Sequence, residues 1–164
     1  MTIICAAEKN GEICIAADTQ TSFGSTKITS KYMISHEKLH RVGDSVIGVT
    51  GWCAIALVVE HLTRESPEKF KLDSRSEIFE SLLALQKVVT DEYFVDKKHH
   101  NNQPVDSNHI DGIIVNKTGI YRIGSYREVH QYVFTLVVYE RMLVHTLELC
   151  LASWVGDARY NLEC

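Results

Sequence analysis

Several features are missing from this chain of 164 residues, and each absence removes a class of function. There is no excess of positive charge. Lys and Arg number 17 against 21 Asp and Glu, a net charge of −4, so nucleic-acid binding has no electrostatic footprint. No apolar run approaches the ~20 residues of a bilayer-spanning helix, so no membrane partner is expected. The start carries no basic region leading into an apolar one, so no secretory leader is expected. The five cysteines, at positions 5, 14, 53, 150 and 164, include no C-x-x-C pair, and their count is odd. Cys5, Cys14 and Cys53 fall in apolar stretches, where cysteine behaves as a small hydrophobe, so the expected location is a reducing cytoplasm. Repeats and linker-like segments are missing as well. The expectation is one domain over residues 1–164, with room for a real core.

What is present is a run of strand and helix signals. Thr2 opens the apolar run Ile3-Ile4-Cys5-Ala6-Ala7. Asn10-Gly11 is a tight-turn signal, and Ile13-Cys14-Ile15-Ala16-Ala17 returns to Asp18. Residues 2–18 therefore read as a hairpin whose strands are apolar on both faces and covered on both sides. Residues 19–36, rich in Ser, Thr, Lys and Gly, read as a loop or irregular hairpin over a cleft. Short strands are expected at 38–42 and 45–50, with Gly51 breaking the second. Helical periodicity runs from Trp52 to about Leu62, and again from Ser76 to about Phe94 with Asp73 or Ser76 as cap. Residues 96–108 are a polar loop. Strands at 109–115 and 119–123 flank an Asn116–Gly119 turn, 128–133 extends the β region, and Val138 to Ser153 reads as a last helix. This order describes an α+β protein with two sheets and a helical layer, not alternating βαβ units.

Thr2, Asp18 and Lys38 form the first chemical constellation. Removal of Met1 makes Thr2 a chain terminus that carries a nucleophilic hydroxyl and a base, its own α-amine. That amine has an ordinary pKa of roughly 7.7–8.0, suited to general-base work near neutrality. A lysine ammonium nearby favours the neutral amine, and Asp18 could hold Lys38 by a charge-assisted bond. Gly51, at a strand-to-helix junction, is the candidate oxyanion donor. The register is open at this point. A two-residue turn at Asn10-Gly11 sets Thr2 across from Thr19 and turns Asp18 to the other face, whereas a three-residue loop brings Asp18 to the face of Thr2.

These residues, with the segments Ile15-Ala16-Ala17-Asp18-Thr19, Glu37-Lys38-Leu39, Val46 to Gly51 and Gly112 to Ile123, resemble the proteasome β-subunit family over residues 2–132. The family consists of N-terminal nucleophile hydrolases and includes the bacterial two-ring ATP-dependent peptidase and smaller bacterial proteasome homologues. The resemblance implies a four-layer αββα sandwich, a homo-oligomeric ring, a peptide or unfolded protein as substrate, an ATP-dependent unfoldase as partner, and no cofactor or metal. It places Thr2 as nucleophile, Asp18 and Lys38 as its supporting pair, Gly51 at the oxyanion position, and Ser22 in a strand that pairs with the substrate backbone. Ser125, in Gly124-Ser125-Tyr126, stands for the serine of a Gly-Ser-Gly turn but lacks the second glycine. Asp157 stands for a later aspartate, without the serine that follows it in the family. From Val133 onward no family pattern is read. A divergent tail, a shifted reading frame and a truncation are all open explanations for 133–164.

Other clusters read more plainly. His99, His100 and His109 with Asp96, Asp106 and Asp111 match no compact ligand spacing, so a solvated loop is expected rather than a metal site. Cys53, at a helix start, has no histidine placed beside it and reads as packing. Tyr121, Tyr126, Tyr132 and Tyr139 read as sheet surface or a subunit contact. The leading reading is a threonine-type endopeptidase. The alternatives are a catalytically inactive ring subunit of the same fold and a small-molecule amidase of the same chemistry.

Overall fold

The computed structural model describes residues 2–23, 26–34, 37–51, 53–93, 110–124 and 127–139. The first hairpin pairs β1 (Thr2–Lys9) with β2 (Glu12–Ala17) in a register that matches Lys9 with Glu12. The connection is therefore the two-residue Asn10-Gly11 turn. Both residues have positive φ, 55° and 80°, the backbone twist that fits the strands of a tight hairpin. A second small hairpin follows, β3 (Thr21–Phe23) with β4 (Thr26–Ile28).

β5 (Leu39–Val42) and β6 (Ser45–Gly51) lead into α1 (Cys53–Glu65), and α2 (Arg75–Asp91) follows. The cap of α2 is Ser74, not the expected Asp73 or Ser76. Its side chain accepts from the Glu77 N–H, and its hydroxyl donates to the Glu77 carboxylate, a variant of the capping box in which the hydroxyl replaces the cap N–H as donor. β7 (Ile110–Asn116), β8 (Gly119–Ile123), β9 (Val129–Tyr132) and β10 (Phe134–Tyr139) complete the described elements. The expected helix from Val138 is overturned at its start, because Val138 and Tyr139 lie in β10. The β-branched and aromatic run Phe134-Thr-Leu-Val-Val-Tyr suits a strand. It also occupies the open edge of β1, pairing Thr2 with Tyr139. Residues 140–153 of that expected helix lie outside the described residues.

The strands form sheets of order β10-β1-β2, β3-β4 and β5-β6-β7-β8-β9. Alternation in the five-stranded sheet divides its side chains between two cores. Ile47, Val49, Ile114, Tyr121 and Ile123 face α1 and α2, meeting Ile55, Val59, Ile78, Leu82, Leu85 and Val89. Ile113, Val115 and Ile120 face the first hairpin, meeting Ile4 and Ala6. The described layers are thus helices, sheet, sheet. Gly112 is required where β7 crosses β6, because a Cβ there would overlap the Gly48 carbonyl oxygen.

Three further expectations need correction. β2 is not covered on both sides along its length, since Glu12 and Cys14 are exposed. Cys14 is therefore not a core residue, and Cys5 is half-buried. Tyr121 is not surface: it is 4% exposed, and its hydroxyl bonds Thr118 Oγ1 at 2.9 Å. That bond belongs to a polar knot around Asn116. Asn116 Oδ1 accepts from the Thr118 and Gly119 N–H groups at 2.7 and 3.1 Å, while its Nδ2 donates to the Leu72 carbonyl. The β7–β8 turn is thereby tied to the segment leading into α2.

Candidate active site

The site is built where β2 ends. Asp18 continues the hairpin register, and its N–H donates to the Ile3 carbonyl at 3.0 Å. The reverse bond is not made by main chain. The Ile3 N–H donates instead to Asp18 Oδ1 at 2.5 Å, so the carboxylate substitutes for a ladder carbonyl. Asp18 Oδ2 accepts from the Gln20 N–H at 3.0 Å, an Asx turn that swings the chain off the sheet and ends β2. The two-residue turn thus holds, and Asp18 lies across from Ile3 rather than from Thr2. It nevertheless reaches the Thr2 end of β1, because the N–H it binds belongs to the peptide joining Thr2 to Ile3.

Lys38 completes the group. Its Nζ donates to Asp18 Oδ1 at 2.9 Å and to the Gln20 carbonyl at 2.7 Å. The Lys38 side chain is 11% exposed and that of Asp18 is 24% exposed. A largely desolvated ammonium needs such a partner, and the carboxylate with a carbonyl supplies it. Lys38, immediately before β5, is placed by its main chain, whose carbonyl accepts from the Val49 N–H of β6 at 3.4 Å.

Gly51 ends β6 opposite Ile110, two residues before α1, with φ +122°, a conformation that favours glycine. Thr2 is half-buried at the head of β1. Ser22 lies in β3 opposite Lys27. Ser125 and Asp157 lie outside the described residues, as do Asp96, His99, His100, Asp106 and His109. Asp111 lies in β7, across from Thr50. Among the described residues, no group of His, Cys, Asp and Glu is arranged to hold a metal ion. Also among them, no helix is long and apolar enough to cross a membrane.

The main-chain groups of Ile3 and Gln20 were not read from the sequence as parts of the site. The signal for Gln20 was present, since a residue two places after an aspartate at a strand end is where an Asx turn donates. His40, two residues beyond Lys38, is held below its ordinary pKa of 6.5 by burial. Glu60 of α1 and Glu37 oppose that shift.

No family model matches the sequence, and no curated protein does either. Solved structures do match. BPH of Thiobacillus denitrificans, a bacterial proteasome homologue, in complex with epoxomicin, is similar with a TM-score of 0.76 and 27% identity, covering 95% of this chain and 81% of that one. A second structure of BPH from Thiobacillus denitrificans matches with a TM-score of 0.75 and 27% identity, with the same coverage. HslV of Trypanosoma brucei matches at 0.57 and 17%, covering 83% of this chain and 71% of that one, a likeness of fold alone. The fold is that of the N-terminal nucleophile hydrolases. Within that class it is of the proteasome β-subunit type, and the match to BPH extends beyond the 2–132 span legible in sequence.

Proposed function

We propose that this chain is a threonine-type endopeptidase that acts through Thr2 once Met1 is removed. The observation that carries the proposal is the Asp18 carboxylate. It bridges the Ile3 N–H and the Lys38 ammonium one peptide bond from Thr2. The pair fixes the head of β1 and holds a positive charge beside it, a setting that favours a neutral α-amine. In the proposed reaction the Thr2 amine, directly or through a water, takes the proton of the Thr2 hydroxyl. The oxygen attacks a peptide carbonyl, and the Gly51 N–H receives the oxyanion. The proton passes to the departing amine, and water then hydrolyses the Thr2 ester. Asp18 and Lys38 are positioning residues in this scheme, and Ser22 of β3 lies on the strand offered to the substrate backbone. Likeness to BPH, solved with epoxomicin, supports the hydrolase class.

A homo-oligomeric ring, an ATP-dependent unfoldase partner and a cytoplasmic location are the accompanying proposals, by analogy of fold and from the cysteine usage. Thr2→Ala is expected to abolish cleavage of a capped peptide panel while leaving assembly unchanged by light scattering. Full activity in that variant sinks the mechanism. Intact mass with Met1 retained, together with no cleavage, favours the inactive ring subunit. Cleavage of small acyl-amides but not of peptides favours the amidase.

A further inference from the structure

Gln20 is the residue whose chemistry the site does not use. Its main chain does two jobs, the N–H donating to Asp18 Oδ2 and the carbonyl accepting Lys38 Nζ. Any residue other than proline can make both bonds, so neither explains a glutamine. The side chain does something unusual. Its Nε2 is sealed from solvent and has no hydrogen-bond partner, and among the described residues it is the one buried side-chain polar atom in that condition. An amide donor buried without an acceptor destabilises the protein, and a methionine of the same length would not carry that penalty. Orphan donors of this kind call for a specific explanation, and a site waiting for an acceptor is one.

The position supports that explanation. Gln20 stands between the Asp18–Lys38 pair and Thr21, the first residue of β3. The residue as a whole is half-buried. Its bonds to Asp18 and Lys38 are made by main-chain atoms, so a change of side-chain rotamer leaves them in place.

We infer that the Gln20 side-chain amide is a recognition donor for a carbonyl oxygen of a bound peptide, unpartnered in the free protein and satisfied on binding. The inference rests on the peptidase reading above and adds a specificity residue to it. The donor serves any carbonyl acceptor, and the peptidase reading makes that acceptor a peptide carbonyl. Its contribution is greatest for binding, because the hydrogen bond is made by bound substrate and not only in the transition state.

The test compares the full wild-type chain with Gln20→Met, using a panel of capped tetrapeptides and thermal unfolding without ligand. Gln20→Met is expected to raise KM roughly 5- to 30-fold with kcat within about twofold, since a ligand hydrogen bond and the relief of a buried donor are both lost. The ligand-free variant is expected to unfold a few degrees higher, on the order of 3–8 °C. An unchanged KM, or a lowered unfolding midpoint, assigns the amide to an internal water or to packing and overturns the inference. Should the variant fail to fold, the wild-type chain is read by side-chain amide NMR. The Gln20 NH2 protons are expected to shift when a tetrapeptide is added, and no shift at saturation overturns the inference. If wild type binds the peptides but does not cleave them, the peptidase reading alone fails, and dissociation constants replace KM. If it binds none of them, both fail.

Discussion

Replacing Asp18 by alanine removes the acceptor for three donors at once, and the cost can be worked from the geometry. The Ile3 N–H, the Gln20 N–H and the Lys38 ammonium all end on this carboxylate, at 2.5, 3.0 and 2.9 Å. The charge-assisted bond to Lys38 is worth roughly 1.5–3 kcal/mol. The Lys38 side chain is only 11% exposed, so this pair belongs above the ~0–1 kcal/mol of surface ion pairs. Each main-chain N–H adds about 1 kcal/mol, the low end of the cost of an unmet donor, because the vacated position is partly open to water. The sum is roughly 3–5 kcal/mol, or a fall of about 10 °C in Tm for a chain of this size. Asp18→Asn separates the contributions. Its remaining oxygen can still receive Ile3 and Lys38, but the charge is lost and its NH2 opposes the Gln20 N–H, for a cost of roughly 2 kcal/mol. Urea unfolding of Asp18→Ala, Lys38→Met and the double variant isolates the pair, with an expected coupling of about 1.5–3 kcal/mol. An Asp18→Ala protein within about 1 kcal/mol of wild type, or a coupling near zero, would refute the view that this pair anchors the head of β1.

Other substitutions probe separate parts of the structure. Ser74→Ala removes the cap of α2 and is expected to cost about 1 kcal/mol by urea unfolding, whereas Ser76→Ala leaves stability within about 0.5 kcal/mol. Gly112→Ala drives a Cβ into the Gly48 carbonyl, and a loss of at least ~2 kcal/mol is expected; a neutral result would mean that β6 and β7 are not in this register. His40 has a folded pKa below its unfolded value, so the unfolded chain binds the extra proton in the intervening window. Its contribution is therefore fully present above pH ~6.5 and is lost as pH falls through that value toward the folded pKa. His40→Gln should flatten this part of the pH–stability curve relative to wild type, and an unchanged slope assigns the acid sensitivity to other groups.

The legible parts of this protein were those fixed by near neighbours in the chain. Asn10-Gly11 marked its turn because both residues tolerate positive φ. The Trp52–Leu62 periodicity marked α1 because one face of a helix repeats every three to four residues. Ser74-x-x-Glu77 is equally local, the sequence pattern of a capping box, while the nearby Asp73 and Ser76 are also good cap residues. Val138-Tyr139 reads as a helix start because a short apolar run has no period of its own, and a strand is assigned to it only by a partner, here β1. Tyr121 reads as sheet surface or a subunit contact because nothing in the sequence shows that its hydroxyl meets Thr118 Oγ1.

The sequence by itself determined the chemistry on offer: a threonine that can become a terminus, an aspartate closing an apolar strand, a lysine ahead of the next, and a glycine before a helix. Tertiary structure decided how they meet. The two-residue turn sends Asp18 to the face away from Thr2, yet the carboxylate binds the Ile3 N–H, one peptide bond from Thr2, and Lys38 joins it from the residue that leads into β5 of the other sheet. The physical reason is range. Turn and cap preferences act over two to four residues, whereas the demand of a buried ammonium for a carboxylate 20 positions away is felt only once the two sheets have packed.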